Sequence, residues 1–466
     1  MKNISENNYR IGFDIGGTFT DFVLTDEKNG EIKLNKCLTT PEDPSIGVLN
    51  GLNSILNENN LKFNNIHNLV HGTTLVTNAL IERKGASIAL LTTKGFRDVL
   101  EFGHEQRYDI HDLYLKYPEP LVNRNLRFEV EERISRDGEI ITSIDMDQVK
   151  DTLSNIVRQG ITTIAVCFIH AYKNPIHEEM VRTLVSNEFD FLNVSISSDI
   201  HPKLREFERT TTTVANAYVQ PLTSKYINRL KDNFINNLFK GEFHLMQSSG
   251  GLISPSSAIK YPIRLLESGP AGGAQFASYF GQLIKRLNLI SFDMGGTTAK
   301  ACLIQNGKAD IAPMMETARE HRFKKGSGIP IEAPVIDMIE IGAGGGSRAR
   351  IDQLGLLKVG PESSGANPGP ACYGLGGIQA TVTDANLVLG YINPEYFLGG
   401  QMLLDVNAAE NALKVLADKL SMNISETAWG IYDIVCENMA AATRIHIVEK
   451  GRDPRSYALL AIGGAG

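Results

Sequence analysis

Near its start the chain reads "FDIGGTFTD", Phe13 to Asp21, and much later it reads "FDMGGTTAK", Phe292 to Lys300. Setting Asp14 against Asp293 gives an offset of 293 − 14 = 279 residues. In that register Ile11 matches Ile290 and Phe13 matches Phe292, while Gly16, Gly17 and Thr18 match Gly295, Gly296 and Thr297. Each copy is an apolar strand, an Asp-x-Gly-Gly-Thr turn and a second apolar strand, "DFVLT" or "KACLI". A β–turn–β unit repeated this far apart predicts a duplicated domain, with one hairpin in each half and a cleft between them. Length agrees, because 466 residues exceed what one compact core usually holds.

The turns have a chemistry of their own. A Gly-Gly turn exposes backbone N–H groups and lets an anion approach without a Cβ in the way, and the threonine adds a hydroxyl donor. An aspartate beside a phosphate makes sense when a divalent cation lies between them, commonly Mg²⁺ through water. One such hairpin is weak evidence, since Gly-Gly after a strand is most often a plain turn. Two with the same Asp and Thr point to phosphate binding. Two further glycine turns follow strands: "IEIGAGGGSRARID", with Gly344 and Gly345, and "YALLAIGGAG", with Gly463, Gly464 and Gly466.

Elsewhere strands alternate with helices, which makes the chain α/β. Asp43 and Pro44 open a helix as N-cap and first residue. The segments "ASIALLTT" and "ITTIAVCFIHAY" read as buried strands, and "DMDQVKDTLSNIVRQG" and "NPIHEEMVRTLVSNEF" as helices. From Pro202 to about Gly241 the pattern gives two helices broken at Pro221. This stretch marks a boundary between residues 1–205, with the first phosphate turn, and 206–466, with the second.

The combination resembles the ATP-binding superfamily of actin, hexokinase-type sugar kinases and heat-shock chaperones. Within it the chain is similar to the hydantoinase A/oxoprolinase family, whose members act on lactams, hydantoins or ketones. The segments "VHGTT", "SGPAGGA", "GAGGGS" and "GPESSGANPGPACYG" carry that resemblance, which covers almost the whole chain. It implies two RNase H-like lobes with a nucleotide cleft, ATP and Mg²⁺ as cofactors, and a B-type partner subunit. It also implies that Asp14, Gly16, Gly17 and Thr18 form the first phosphate turn, that Asp293, Gly295, Gly296 and Thr297 form the second, and that Gly463, Gly464 and Gly466 begin the adenosine turn. Asp14 and Asp293 are the expected metal-holding and catalytic acids. Two departures stand out. The family's second turn usually continues to an acid where this chain has Lys300, and family members generally continue well past the position of Gly466, so the chain is expected to be C-terminally truncated.

Single residues leave alternatives open. His71 in "VHGTT" either polarises a carbonyl or meets phosphate, as a third catalytic candidate, or is bonded to loop backbone. His104, Asp109 and His111 cluster as metal ligands would, in a spacing that matches no motif, and a solvated loop accounts for them as well. Cys372 is read as a small buried residue in a Pro/Gly-braced loop in preference to a nucleophile, Asp384 as a helix N-cap in preference to an acid catalyst, and Thr210–Thr213 as helix packing. Lys300 either pairs with phosphate or points to solvent.

Composition excludes other classes. Net charge is −7, so no global field draws the chain to nucleic acid or an anionic membrane. Five dispersed cysteines form no Cys-x-x-Cys pair, which argues against a disulfide framework or a zinc site and fits a reducing compartment. The polar N-terminus "MKNISENNYR" lacks the apolar core of a signal peptide, and no apolar run is long enough to span a bilayer. The expected location is cytoplasmic. The expected activity is ATP-dependent activation of a lactam or hydantoin carbonyl. A ketone carboxylase subunit or a non-catalytic ATPase switch are the alternatives.

Overall fold

The computed structural model describes residues 8–16, 19–40, 43–321 and 324–466. It is a mixed α/β molecule in which the repeated hairpins each seed a sheet. Strands β1 (Tyr9–Ile15), β2 (Phe19–Asp26) and β3 (Ile32–Leu38) run antiparallel, as expected of a strand, a tight turn and a strand. Helix α1 (Pro44–Glu58) follows, with the Asp43 carboxylate accepting from the Ser45 N–H at 3.1 Å. Strand β4 (Ile66–Thr73) then lies parallel to β1 on its other side and leads into the short helix α2 (Leu75–Ile81).

A second sheet is built from β5 (Ala89–Thr93), β6 (Arg127–Val130), β7 (Thr163–Cys167) and β8 (Asn193–Ile196). Its order is β8-β7-β5-β6 and every pairing is parallel. All five residues of β5 and of β7 are buried, as the continuous apolar runs require.

One expectation fails next. Residues 206–236 form a single helix, α3 (Glu206–Asn236), with Pro221 inside it. Proline removes one N–H and crowds the preceding turn, a cost of about 3 kcal/mol in a free helix. Here Glu208 through Val219 are all buried, and tertiary packing of that length outweighs the local rule. The threonine run is spent on this packing. Thr210 and Thr213 donate to helix carbonyls of Glu206 and Arg209, Thr211 donates to the Pro330 carbonyl at 2.8 Å, and Thr212 accepts from the Glu332 N–H at 3.0 Å.

After α3, strands β9 (Glu242–Met246) and β10 (Leu252–Ile253) join the first sheet, giving the order β10-β9-β4-β1-β2-β3. Helix α4 (Ser268–Leu283) then crosses to the second hairpin, β11 (Leu289–Met294) and β12 (Ala299–Gln305). This sheet is completed by β13 (Lys308–Ala309) and β14 (Met338–Ile341), both paired with β12, and by β15 (Ala458–Ile462), parallel to β11. Each Asp-bearing strand therefore has an antiparallel hairpin partner on one side and a later parallel strand on the other. Among the described residues no helix is long and apolar enough to cross a membrane.

Candidate functional site

The two turns share one closing hydrogen bond. In the first, the Gly16 N–H donates to the Phe19 carbonyl at 2.9 Å, and in the second the Gly295 N–H donates to the Thr298 carbonyl at 3.0 Å. Gly17 and Thr18 lie outside the described residues. Thr297 is exposed at the tip of the second turn.

The third and fourth glycine turns pack on the second. Gly344 and Gly345 are buried, and their N–H groups go to the Ser347 hydroxyl at 2.9 Å and the Gly295 carbonyl at 3.1 Å. A Cβ at Gly344 would stand 2.7 Å from the backbone of Gly296 and Thr297, so only glycine lets this loop brace the second turn from behind. Gly463, with φ +91°, sits against the Asp293 carboxylate and the Met294 backbone, and a Cβ at Gly464 would lie 3.3 Å from the Lys36 ammonium of β3. The Ala465 N–H donates to the Met294 carbonyl at 2.9 Å. Parts of both hairpin sheets thus meet at one place.

The first turn of α4 closes that place. The Ser268 hydroxyl accepts from the Thr73 N–H and donates to the Thr73 carbonyl, both at 2.8 Å. The Glu267 N–H donates to the Thr77 hydroxyl at 3.1 Å. Gly269 follows, so close to the first turn that a Cβ there would meet Asp14 Oδ1 at 2.5 Å. The signal for these contacts in "SGPAGGA" is a serine and glycines opening a helix, a pattern that lets backbone approach backbone.

Asp14 is an under-compensated acid: its Oδ1 is buried and has no hydrogen-bond partner among the described residues. Burial chiefly, then the charges of Asp21 and Asp293, push its pKa up to about 7, against the opposing pull of Lys300 and Lys36. A carboxylate oxygen that no described protein group satisfies fits a hard cation with oxygen ligands. Asp293 is also raised by burial, but Lys300 is the first charge working against the rise. Among the described residues no group of three or more His, Cys, Asp or Glu is arranged to hold a metal.

Lys300 follows neither expectation. It is 12% exposed and ion-paired with Glu267, which is 9% exposed, so it neither points to solvent nor stands unpaired for phosphate. Glu267 caps α4 in a left-handed conformation, φ +53°.

The remaining candidates disperse. His71 is fully buried, its Nδ1 against the Phe13 carbonyl at 3.3 Å and its Nε2 against the Tyr226 hydroxyl at 2.8 Å. With both ring nitrogens taken, it enters no step proposed below. His104 pairs with Glu208 at 2.8 Å and Asp109 with Lys324, while His111 offers only its backbone N–H to Asp109. Cys372 is fully buried, as a braced small residue should be. Asp384 is not the N-cap. Thr381 caps the helix Val382–Val388, and Asp384, three residues on, accepts from the N–H groups of Cys372 (2.8 Å) and Thr381 (2.9 Å). The threonine wins because its hydroxyl reaches the Asp384 N–H while the aspartate answers back, a capping box.

Paired Asp-Gly-Gly hairpins on two mixed sheets, packed against two further glycine turns, define the class of fold to which the chain belongs. A family model described as hydantoinase/oxoprolinase matches residues 209–466, and one for the hydantoinase/oxoprolinase N-terminal region matches residues 10–189. The chain belongs to the hydantoinase/oxoprolinase family. It is 35% identical over 469 residues to caprolactamase subunit alpha of Pseudomonas jessenii, covering 99% of this chain and 66% of that protein. It is 34% identical over 487 residues to the acetophenone carboxylase gamma subunit of Aromatoleum aromaticum, covering 98% and 63%. Among solved structures, the ATP-dependent caprolactamase of Pseudomonas jessenii superposes with TM-score 0.80 at 34% identity, over 98% of this chain and 65% of that one. Nucleotide-free acetone carboxylase superposes with TM-score 0.84 at 27% identity, over 99% and 66%. The chain therefore spans about two thirds of the length of these relatives.

Proposed function

We propose that the chain binds ATP between its two hairpin turns, as the meeting of two lobes, and uses it to activate the carbonyl of a lactam or hydantoin. The observation that carries this reading is the convergence of four elements. These are the Asp14 turn, the Asp293 turn, the Gly463 turn and the first turn of α4. The backbone N–H groups of the glycine turns would face the phosphates, where preorganised donors act most strongly. Asp14 is the residue best placed to hold a Mg²⁺ ion, which when bound would neutralise phosphate charge. Gly463, Gly464 and Gly466 would carry the nucleoside.

In the chemical step the bond between the γ-phosphorus and the β-γ bridging oxygen breaks as the amide oxygen attacks. ADP leaves, and the lactam becomes an imidate phosphate. Water then adds to the imidate carbon, the C–N bond breaks as the nitrogen takes a proton and leaves, and the resulting acyl phosphate is hydrolysed by a second water to the amino acid and phosphate. None of the described residues outside the turns forms an obvious hydrolytic centre, so a B-type partner subunit would supply the second half. The names of relatives as subunits support that assignment. Relatives named for lactams and for ketones are about equally similar, 35% for caprolactamase subunit alpha and 34% for the acetophenone carboxylase gamma subunit. A ketone is therefore the second reading, and a substrate panel decides between them.

The test is ATP turnover by the chain with its partner subunit, measured across 5-oxoproline, hydantoin, caprolactam, acetone and acetophenone. Asp14→Asn should cut lactam-dependent turnover by about a hundredfold or more. Unchanged turnover in that variant would overturn the assignment of Asp14. ATPase activity that answers to a protein partner and to no small carbonyl compound would make the chain a switch.

A further inference from the structure

The repeat holds backbone for backbone and then reverses charge. Across the first sheet Asp14 stands opposite Asp21, which stands opposite Lys36, in the order minus, minus, plus. Across the other sheet Asp293 stands opposite Lys300, which stands opposite Glu340, in the order minus, plus, minus. Directly opposed residues in a sheet share a face, so Lys300 lies between two carboxylates on its own sheet. Glu267, from the start of α4, supplies a third. In the first hairpin the counter-ion Lys36 pairs with Asp21, the two being 27% and 52% exposed, and the Asp14 Oδ1 has no partner among the described residues.

We propose that Lys300 is a built-in cation that withdraws Asp293 from divalent-metal binding, so that the metal accompanying the nucleotide is held from the first turn, through Asp14. The inference rests on the nucleotide reading above and assigns unequal work to turns that look equal in sequence. Two forces support it. A divalent ion brought beside a buried ammonium meets repulsion that little solvent screens. The same ion at the first turn meets Asp14 and Asp21 on one sheet face, opposed by Lys36, which is partly solvent-screened, and by the charge of Lys300, in the oxygen-rich setting that Mg²⁺ and Mn²⁺ prefer. The ammonium also holds Glu267, and with it the helix start that packs on Asp14, so one lysine both fills the second site and shapes the first.

The test is Mn²⁺ binding to the whole chain, followed by electron paramagnetic resonance with the metal alone and with ATP present. Asp14→Asn should weaken Mn²⁺ binding at least about tenfold, and Asp293→Asn less than about twofold. Lys300→Met combined with Glu267→Gln removes the pair together, which a fold tolerates better than stranding one charge. That double variant should tighten Mn²⁺ about tenfold or add a second bound equivalent, because Asp293 is set free. Thermal melts confirm that each variant is folded before its affinity is read. Loss at Asp293→Asn equal to that at Asp14→Asn overturns the proposal, as does a folded double variant with unchanged Mn²⁺ binding. Wild-type protein that binds neither ATP nor Mn²⁺ would instead bring down the nucleotide reading itself.

Discussion

Phe13 and Phe292 hold the same place in their hairpins, yet they lie beside different strands. Phe13 is paired with His71 on β4, a strand inside its sheet, and the two rings stack at 4.4 Å. Phe292 is paired with the small side chain of Ala461 on β15. One hairpin is flanked by a stacked aromatic ring and the other by a single methyl group. A duplicated motif therefore does not imply duplicated stability, and each site must be read from its neighbours.

The comparison breaks most readily at His71. Its Nδ1–H donates to the Phe13 carbonyl, so Nε2 accepts from the Tyr226 hydroxyl and the ring is neutral. Burial holds its pKa down at about 3, from an ordinary 6.5. A depressed histidine contributes stability that is complete above pH 6.5 and is lost as pH falls from 6.5 towards 3. The full loss is roughly 5 kcal/mol. His71→Gln should remove that share of the acid sensitivity, so urea midpoints of wild type and variant should converge between pH 7 and pH 4. Parallel slopes would mean that the ring is not the group that titrates. The second hairpin has Ala461 at the matching position and contributes nothing of this kind.

What sequence made legible here was whatever is local or repeated. The glycine turns, the Asp43 cap and the buried strand runs depend on residues a few positions apart. The hairpins were doubly marked because they occur twice. The contacts that decide the chemistry are long-range. His71 and Tyr226 are 155 residues apart, and Lys300 and Glu267 are 33 apart. Glu267 gave no signal, since a left-handed glutamate before a helix violates the usual capping preferences. Pro221 misled for the opposite reason, because a strong local rule yielded to burial that no local pattern encodes.

The next test turns on the lysines. Lys300→Met leaves Glu267 buried without its partner, a change that typically costs about 3 kcal/mol or more. Its thermal midpoint should fall well below that of wild type, and Lys300→Arg should recover most of the loss by keeping the charge. A midpoint unchanged in Lys300→Met would show that the pair bears no structural load, and the contrast between the hairpins would shrink to Phe13 and Phe292.

Lys36 occupies the corresponding flank of the first hairpin and should behave differently. Its ammonium pairs with Asp21 at 2.6 Å and lies 4.8 Å from the Phe19 ring centre, but Asp21 remains half exposed. Solvent screens such a pair, and the expected stability change for Lys36→Met is below about 1 kcal/mol. Removing this ammonium leaves Asp14 and Asp21 with less opposing charge, so Mn²⁺ affinity should rise modestly while the melting point holds. The same substitution on the two sheets would then act through separate quantities, stability at Lys300 and cation affinity at Lys36. Equal stability losses from Lys36→Met and Lys300→Met would refute that division, because they would mean that solvent screens both pairs alike despite exposures of 27% and 12% at the two lysines.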